Sequence, residues 1–240
     1  MIYSYNGSSI YYRLIKGEGK GTIVFLHGWG RSGDDFNFLP PCFEGYDCLL
    51  VDFPPFGKSE FSPAKWSIFS YANMIVSLCE HLKISSAIFV AHSFGGRILI
   101  LLACLHSSLV QKCIFANSAG LKPRRGIKYH TKIWRYKITK KLGRNCNGGS
   151  RDYQALSPEM KGLFKNIVNT NLDEFARKIR QKTLIFWGEN DRETPLYMAK
   201  RLGRYIKNSR LVKVKGGHFA FIEEKLQFVS AVKEFLKEKK

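Results

Sequence analysis

The chain has 240 residues, of which 45% are hydrophobic and 24% are charged, a balance typical of a globular protein with a substantial core. No apolar run approaches the roughly 18 residues of a membrane span, and residues 1–7 lack the basic and apolar parts of a signal peptide, so we expect a cytoplasmic protein with no transmembrane segment. The formal net charge of +20 favours anionic partners in general but identifies no specific function.

Short apolar runs rich in β-branched residues predict buried strands. After an initial hairpin that turns at Asn6-Gly7, such runs occur at 22–26, 48–53, 87–91, 113–116, 183–187 and 211–214. Helical spacing of apolar residues predicts helices at 67–82, 95–106, 195–206 and 223–239. Strands that alternate with helices in this way indicate a doubly wound, mostly parallel α/β sheet with helices on both faces.

The alternation is interrupted between about residues 120 and 182, where the chain is polar, basic and rich in glycine and asparagine. We interpret residues 121–180 as a basic helical cap inserted over the carboxyl edge of the sheet, where open α/β sheets bind ligands. Residues 1–120 and 181–240 then form the first and second parts of the core.

Residues 122–180 contain sixteen basic and four acidic side chains, a net +12 of the total. Two interpretations stay open. The segment recruits an acidic substrate or an anionic surface, with Arg177 and Arg180 as candidates to bind a carboxylate, or it is an ordinary solvated surface. No nucleic-acid-binding motif accompanies the charge, so we expect no nucleic acid partner.

A serine lies between a predicted strand and a predicted helix, in the segment Ala91-His92-Ser93-Phe94-Gly95. This position is typical of a nucleophile elbow, in which a strained turn lifts the serine hydroxyl above the sheet. The residues two before and two after the serine must be small, because strand and helix come close there, and Ala91 and Gly95 are small. The alternative is a tight structural turn.

Two further strand ends supply an acid and a base. Residues 188–195 follow a predicted strand and contain Asp191, the favoured acid, with Glu189 and Glu193 as rivals. His218 follows the predicted strand at 211–214 and two glycines that free its loop. The order Ser93, Asp191, His218 is that of α/β-hydrolases and differs from the orders of the chymotrypsin and subtilisin proteases.

These motifs resemble those of serine members of the α/β-hydrolase superfamily over nearly the full chain. The segment Asp52-Phe53-Pro54-Pro55-Phe56-Gly57-Lys58-Ser59 is similar to that family's Asp-x-Pro-Gly-x-Gly-x-Ser loop, with proline at one glycine position. The chain is similar both to small carboxylesterases and to cofactor-free C–C bond hydrolases of ring-cleavage products such as 2-hydroxy-6-oxo-dienoates. The latter often carry asparagine before the serine and tryptophan after the histidine, where this chain has His92 and Phe219.

The resemblance implies further roles around the nucleophile. In His27-Gly28-Trp29-Gly30, the N–H of Trp29 would form an oxyanion hole with the N–H of Phe94. Trp29, Phe94 and Phe219 would also line the substrate site, although Trp29 is equally explained as a packing residue. His27 and His92, which flank the predicted site in the sequence, are interpreted as structural residues.

The sequence therefore predicts a serine hydrolase that acts on a small ester or related carbonyl substrate through an acyl-enzyme, with no metal and no organic cofactor. Two alternatives are kept. One is a C–C bond hydrolase of the 2-hydroxy-6-oxohepta-2,4-dienoate type, and the other is a non-catalytic binding protein on the same fold. The natural substrate and the oligomeric state are left open.

Overall fold

A computed structural model of the chain describes residues 1–61, 66–124 and 156–238. The chain divides into two compact units, one formed by Met1–Leu121 with Leu172–Lys240 and the other by Lys122–Asn171. Residues 172–180, which the sequence analysis assigned to the cap, therefore lie in the larger unit. The Leu172 N–H donates to the Gly120 carbonyl there. The identity of the smaller unit as a cap stays a prediction.

Among the described residues, one sheet of eight strands forms the centre of the larger unit. Its strands are Ile2–Tyr5 (β1), Ser8–Ile15 (β2), Thr22–Leu26 (β3), Asp47–Val51 (β4), Ala87–His92 (β5), Val110–Ala116 (β6), Lys182–Gly188 (β7) and Ser209–Val214 (β8). Their order is β1-β2-β4-β3-β5-β6-β7-β8. The pairs β1–β2 and β2–β4 are antiparallel, and every later pair is parallel, which confirms the predicted doubly wound, mostly parallel sheet.

Among the described residues, α-helices follow or connect these strands, and one of them, the third, lies in the smaller unit. They are Ile68–His81 (α1), Phe94–Leu105 (α2), Pro158–Asn169 (α3), Asp173–Arg177 (α4), Leu196–Tyr205 (α5), Ala220–Glu223 (α6) and Lys225–Lys237 (α7). Short 3₁₀ helices cover Gly33–Phe36 and Pro40–Cys42. Because β3, β5, β6 and β7 are buried on both faces, they read in the sequence as continuous apolar runs rather than as alternating ones.

In the smaller unit the structure describes residues 122–124 and the stretch that contains α3. This helix begins after Ser157, whose hydroxyl accepts from the Met160 N–H, and Pro158 occupies its first turn. Proline suits that position because its fixed φ is helical and because the N–H donor that it lacks would have no intrahelical partner there. Leu163 and Ile167, one helical turn apart, are buried.

Several element boundaries differ from the prediction, and two of the differences have a clear local cause. The strand predicted at 48–53 ends at Val51, because the Asp52 carboxylate turns into the following loop and accepts the N–H groups of Gly33 and Lys58. The helix predicted at 223–239 begins at Lys225, since Glu224 has the non-helical angles φ −113° and ψ 44°, and the separate short helix α6 ends just before it.

Candidate active site

Ser93 lies in a strained turn between β5 and α2. Its backbone has φ 46° and ψ −110°, outside the regions that non-glycine residues normally occupy. Such strain persists only where the surroundings fix it. Here the Gly95 N–H donates to the His27 carbonyl at 3.0 Å, and a Cβ on Gly95 would come within 2.2 Å of the Leu26 carbonyl oxygen. The turn therefore has the strand–helix geometry that the sequence predicted.

Asp191 follows β7 and is 4% exposed. Its Oδ1 accepts the N–H groups of Glu193 and Thr194 at 2.8 and 2.9 Å. Its Oδ2 accepts from the Thr194 hydroxyl and from the Asn117 amide, both at 2.6 Å, and contacts His218 Nδ1 at 2.9 Å. A buried carboxylate with this many donors has one fixed orientation.

These contacts also set the charge of Asp191. Burial alone would raise its pKa, but the hydrogen bonds from His218, Thr194 and Asn117 outweigh that penalty and lower the pKa to about 2. The carboxylate is thus ionised at neutral pH. Because an ionised carboxylate only accepts hydrogen bonds, His218 Nδ1 must carry the proton in this contact, which leaves Nε2 as the second, variable nitrogen.

His218 lies in the loop between β8 and α6, and its Nε2 contacts the Glu193 carboxylate at 3.2 Å. Among the residues that the structure describes, the hydroxyl of Ser93 forms no hydrogen bond. The loop nevertheless lies against the elbow, because His92 Nε2 contacts the His218 carbonyl oxygen at 2.9 Å. Catalytic hydrogen bonds are often long or misaligned before substrate binds, so this geometry is compatible with a Ser93–His218 pair.

The sequence analysis missed Asn117. It directly follows β6, is fully buried and has the left-handed φ of 44°. Its amide nitrogen donates to Asp191 Oδ2 and to the Gly217 carbonyl at 2.6 and 3.1 Å, so it connects Asp191 with the loop of His218. A polar residue directly after a buried strand was the available signal, since such a strand ends at the carboxyl edge of the sheet.

Two buried histidines, His27 and His92, contact the loops around Ser93 and His218. The sequence analysis interpreted both as structural residues. His27 Nε2 accepts the Phe53 N–H at 2.8 Å, and its Nδ1 lies 2.7 Å from the Gly28 carbonyl. Burial lowers the pKa of His27 to about 4. Burial and repulsion from His218 lower the pKa of His92 to about 3. Both rings are therefore neutral at physiological pH.

The residues predicted for the oxyanion hole lie next to one another. Phe94 is the first residue of α2, whose first N–H groups have no acceptor within the helix. The Trp29 ring packs edge-on against Phe94 with ring centroids 5.4 Å apart. A Cβ on Gly28 would lie 3.4 Å from the Ser93 Cβ, so the loop passes directly beside the elbow. Phe219 packs on His92 and His218.

Two predicted substrate-binding residues lie elsewhere. The Arg177 guanidinium is 3.9 Å from the centre of the Tyr205 ring, at the far end of α5, and contacts Glu174. Arg180 donates to the Arg177 and Ile179 carbonyls just before β7. That strand has seven residues of about 3.3 Å each, so roughly 20 Å of strand separates Arg180 from Asp191. Proximity in sequence was misleading, because the strand carries the chain to the opposite edge of the sheet.

Other classes of site were also considered. Within residues 1–61, 66–124 and 156–238, no group of three or more His, Cys, Asp or Glu side chains is placed to hold a metal ion. None of the helices in those ranges combines the length and apolar character that crossing a membrane requires.

Comparison with known proteins identifies the family. A family model described as alpha/beta hydrolase fold matches residues 21–136 and 144–225. The chain belongs to this family. It is 28% identical to the uncharacterized hydrolase YugF of Bacillus subtilis, over 98% of the chain and 97% of that protein. It is 27% identical to 2-hydroxy-6-oxononadienedioate/2-hydroxy-6-oxononatrienedioate hydrolase 1 of Pseudomonas putida, over 92% and 89%.

A solved structure extends the comparison to the fold. The esterase of Exiguobacterium antarcticum superposes with a TM-score of 0.79 at 23% identity, covering 99% of this chain and 98% of that one. The family and the hydrolases among the relatives confirm the predicted class of enzyme, a hydrolase. The nucleophile and the bond it attacks are treated next.

Proposed function

We propose that this alpha/beta hydrolase is a serine hydrolase that cleaves small esters, with Ser93 as nucleophile, His218 as base and Asp191 as the acid that orients the base. The observation that carries the proposal is the strained backbone of Ser93 between β5 and α2, beside the loop of a histidine paired with a buried carboxylate. Strain of this kind at a serine is typical of a nucleophile.

The proposed reaction has two steps. His218 Nε2 takes the Ser93 proton while the serine oxygen bonds to the ester carbonyl carbon. The C–O bond of the leaving alcohol then breaks, and the proton on Nε2 passes to the leaving oxygen. Water, deprotonated by His218, releases the acyl group from Ser93 in the same way. Asp191 stabilises the imidazolium throughout, and the N–H groups of Trp29 and Phe94 stabilise the oxyanion.

Replacement of Ser93 tests the proposal. Ser93→Ala should lower the hydrolysis of p-nitrophenyl butyrate by several orders of magnitude with unchanged folding, because the three residues act as a unit. A fluorophosphonate probe should label the natural chain at Ser93 and leave the variant unlabelled. An unlabelled natural chain without esterase activity would favour the non-catalytic binding protein, and an alanine variant with full turnover would exclude Ser93 as the nucleophile.

A second candidate function is cleavage of a C–C bond in a 2-hydroxy-6-oxo-dienoate. It is favoured by relatives such as the Pseudomonas putida hydrolase whose printed name gives substrates of this class. The same three residues would act, with a carbanion in place of the alkoxide as the leaving group. Two assays decide between the two reactions. One measures the turnover of a ring-cleavage dienoate through the loss of its absorbance, and the other measures the hydrolysis of a panel of p-nitrophenyl esters.

An acidic acyl group is a further part of the proposal. It is supported by the net charge of +12 that residues 122–180 carry. A direct contact of Arg177 or Arg180 with the acyl group is no longer part of the proposal, because these two side chains make other contacts. The kcat/KM of p-nitrophenyl hemiglutarate should exceed that of p-nitrophenyl valerate at low salt, and the difference should shrink as salt screens the field. Equal rates and equal salt responses would leave this charge as a solvated surface.

A further inference from the structure

We propose that Glu193 selects for a cationic group on the leaving-alcohol side of the substrate. The inference rests on the proposed function, and it starts from one contact that the proposed mechanism does not use. The Glu193 carboxylate lies 3.2 Å from His218 Nε2, the nitrogen that exchanges a proton with the serine and with the leaving oxygen.

The chemistry of this contact is restricted by Asp191. With Nδ1–H directed to Asp191, a neutral His218 has only a lone pair at Nε2, and a lone pair repels a carboxylate. The contact is therefore favourable when Nε2 also carries a proton. Glu193 thus occupies the place of the group that next receives the Nε2 proton, which in the proposed reaction is the leaving oxygen.

The leaving alcohol must consequently approach Glu193. A leaving oxygen that accepts from Nε2 at about 3 Å puts the first few atoms of the alcohol next to this carboxylate. The side chain of Glu193 is 65% exposed, so it can turn aside while staying near. Its backbone is fixed, because its own N–H donates to Asp191 Oδ1 at 2.8 Å.

The other charged groups around His218 do not cancel this carboxylate at close range. Arg31 lies over the Phe219 ring, but it is paired with Asp35 through two hydrogen bonds of 2.9 and 2.5 Å. On the other side of the loop, Glu223 accepts the Gly217 N–H. His92 below the ring is neutral, and Asp191 is negative. Arg192 is exposed in the adjoining loop and forms none of these contacts.

The test uses two esters with the same acyl group and leaving alcohols of nearly the same shape, butyrylcholine and its uncharged carbon analogue 3,3-dimethylbutyl butyrate. A cation about 5 Å from the carboxylate in a water-rich site gains a factor of roughly three to ten in kcat/KM. We expect this preference in the natural chain at low salt, with a decrease at high salt. Glu193→Gln should abolish it while activity on the neutral ester is largely retained.

Glu189→Gln is the matched control, because Glu189 lies in the same loop but pairs with Lys213 at 3.3 Å. It should keep the preference for the choline ester. Equal rates for the two esters in the natural chain, or a preference that survives Glu193→Gln, would overturn the inference while the serine mechanism stands. Absence of hydrolysis of both esters and of p-nitrophenyl butyrate would instead overturn the proposed function.

Discussion

Asn117 offers a prediction that separates backbone strain from hydrogen bonding. Replacement by glycine removes the amide but suits the left-handed φ of 44°, whereas replacement by alanine removes the amide and keeps a Cβ in that conformation. Both variants leave the Gly217 carbonyl without its donor and remove one donor from Asp191. The glycine variant therefore measures the loss of stability caused by removing the amide, and the alanine variant measures that loss together with the backbone strain.

The magnitudes follow from these contacts. A buried polar group that loses its partner costs about 1 to 3 kcal/mol, and Asp191 keeps its other donors, so Asn117→Gly should lower the free energy of unfolding by about 2 to 4 kcal/mol. The left-handed conformation costs an L-residue about 1 to 2 kcal/mol, partly offset because glycine loses more entropy on folding. Asn117→Ala should thus be slightly less stable than Asn117→Gly.

Activity should fall as well, because Asn117 holds both Asp191, the proposed acid, and the loop of His218, the proposed base. We expect a decrease of about tenfold in kcat/KM, equivalent to about 1.4 kcal/mol, far smaller than the loss in Ser93→Ala. Urea denaturation and p-nitrophenyl butyrate hydrolysis measure the two effects. The reasoning is refuted if both variants unfold within 0.5 kcal/mol of the natural chain, a difference of about the size that surface substitutions cause.

Three further predictions concern the charges of the site. Asp191→Asn should keep the fold and slow ester hydrolysis by up to about 10⁴, since the amide favours the wrong tautomer of His218; a larger loss in Glu189→Gln or Glu193→Gln would mean that the acid is misassigned. Second, the pKa values of His27 and His92 are low in the folded chain. Below pH about 6.5 the unfolded chain therefore binds protons that the folded chain does not, and the free energy of unfolding decreases as the pH is lowered. From pH 7 to pH 5 the free energy of unfolding should decrease by about 2 kcal/mol for each of the two, and His92→Gln should remove about half of that pH dependence; an unchanged dependence would contradict the assignment. Third, because the pKa of Asp191 is about 2, protonation of this carboxylate should not limit kcat/KM between pH 5 and 8; this is checked by comparing the acid limb of the profile before and after Asp191→Asn.

The parts of the site that the sequence predicted share one property, which is that strand ends locate them. Ser93, Asp191 and His218 each follow a short apolar run, and carboxyl ends of parallel strands meet at one edge of a sheet. Local pattern locates such candidates, and it also predicted the alternation of strands and helices along the chain.

The parts that were missed depend on distant partners. Asn117 and Asp191 are 74 positions apart, and no local pattern indicates that the two side chains meet. Arg177 and Arg180 were placed by their short sequence distance from Asp191, which neglects the direction and length of β7. The contact of Glu193 with His218 depends on a side-chain conformation, and periodicity carries no information on that.

The hydrogen bond from the Leu172 N–H to the Gly120 carbonyl, 3.0 Å long, has a consequence for modularity. It joins the points where the chain leaves and re-enters the larger unit, so the ends of the intervening segment are neighbours in space. A linker of a few residues could replace that segment, and closing the shorter loop would cost less entropy, by about 0.6 kcal/mol for each halving of its length. The same sheet can therefore accept segments of different length and composition here. The segment could then be exchanged as one block, without changing the strands and strand ends of the larger unit.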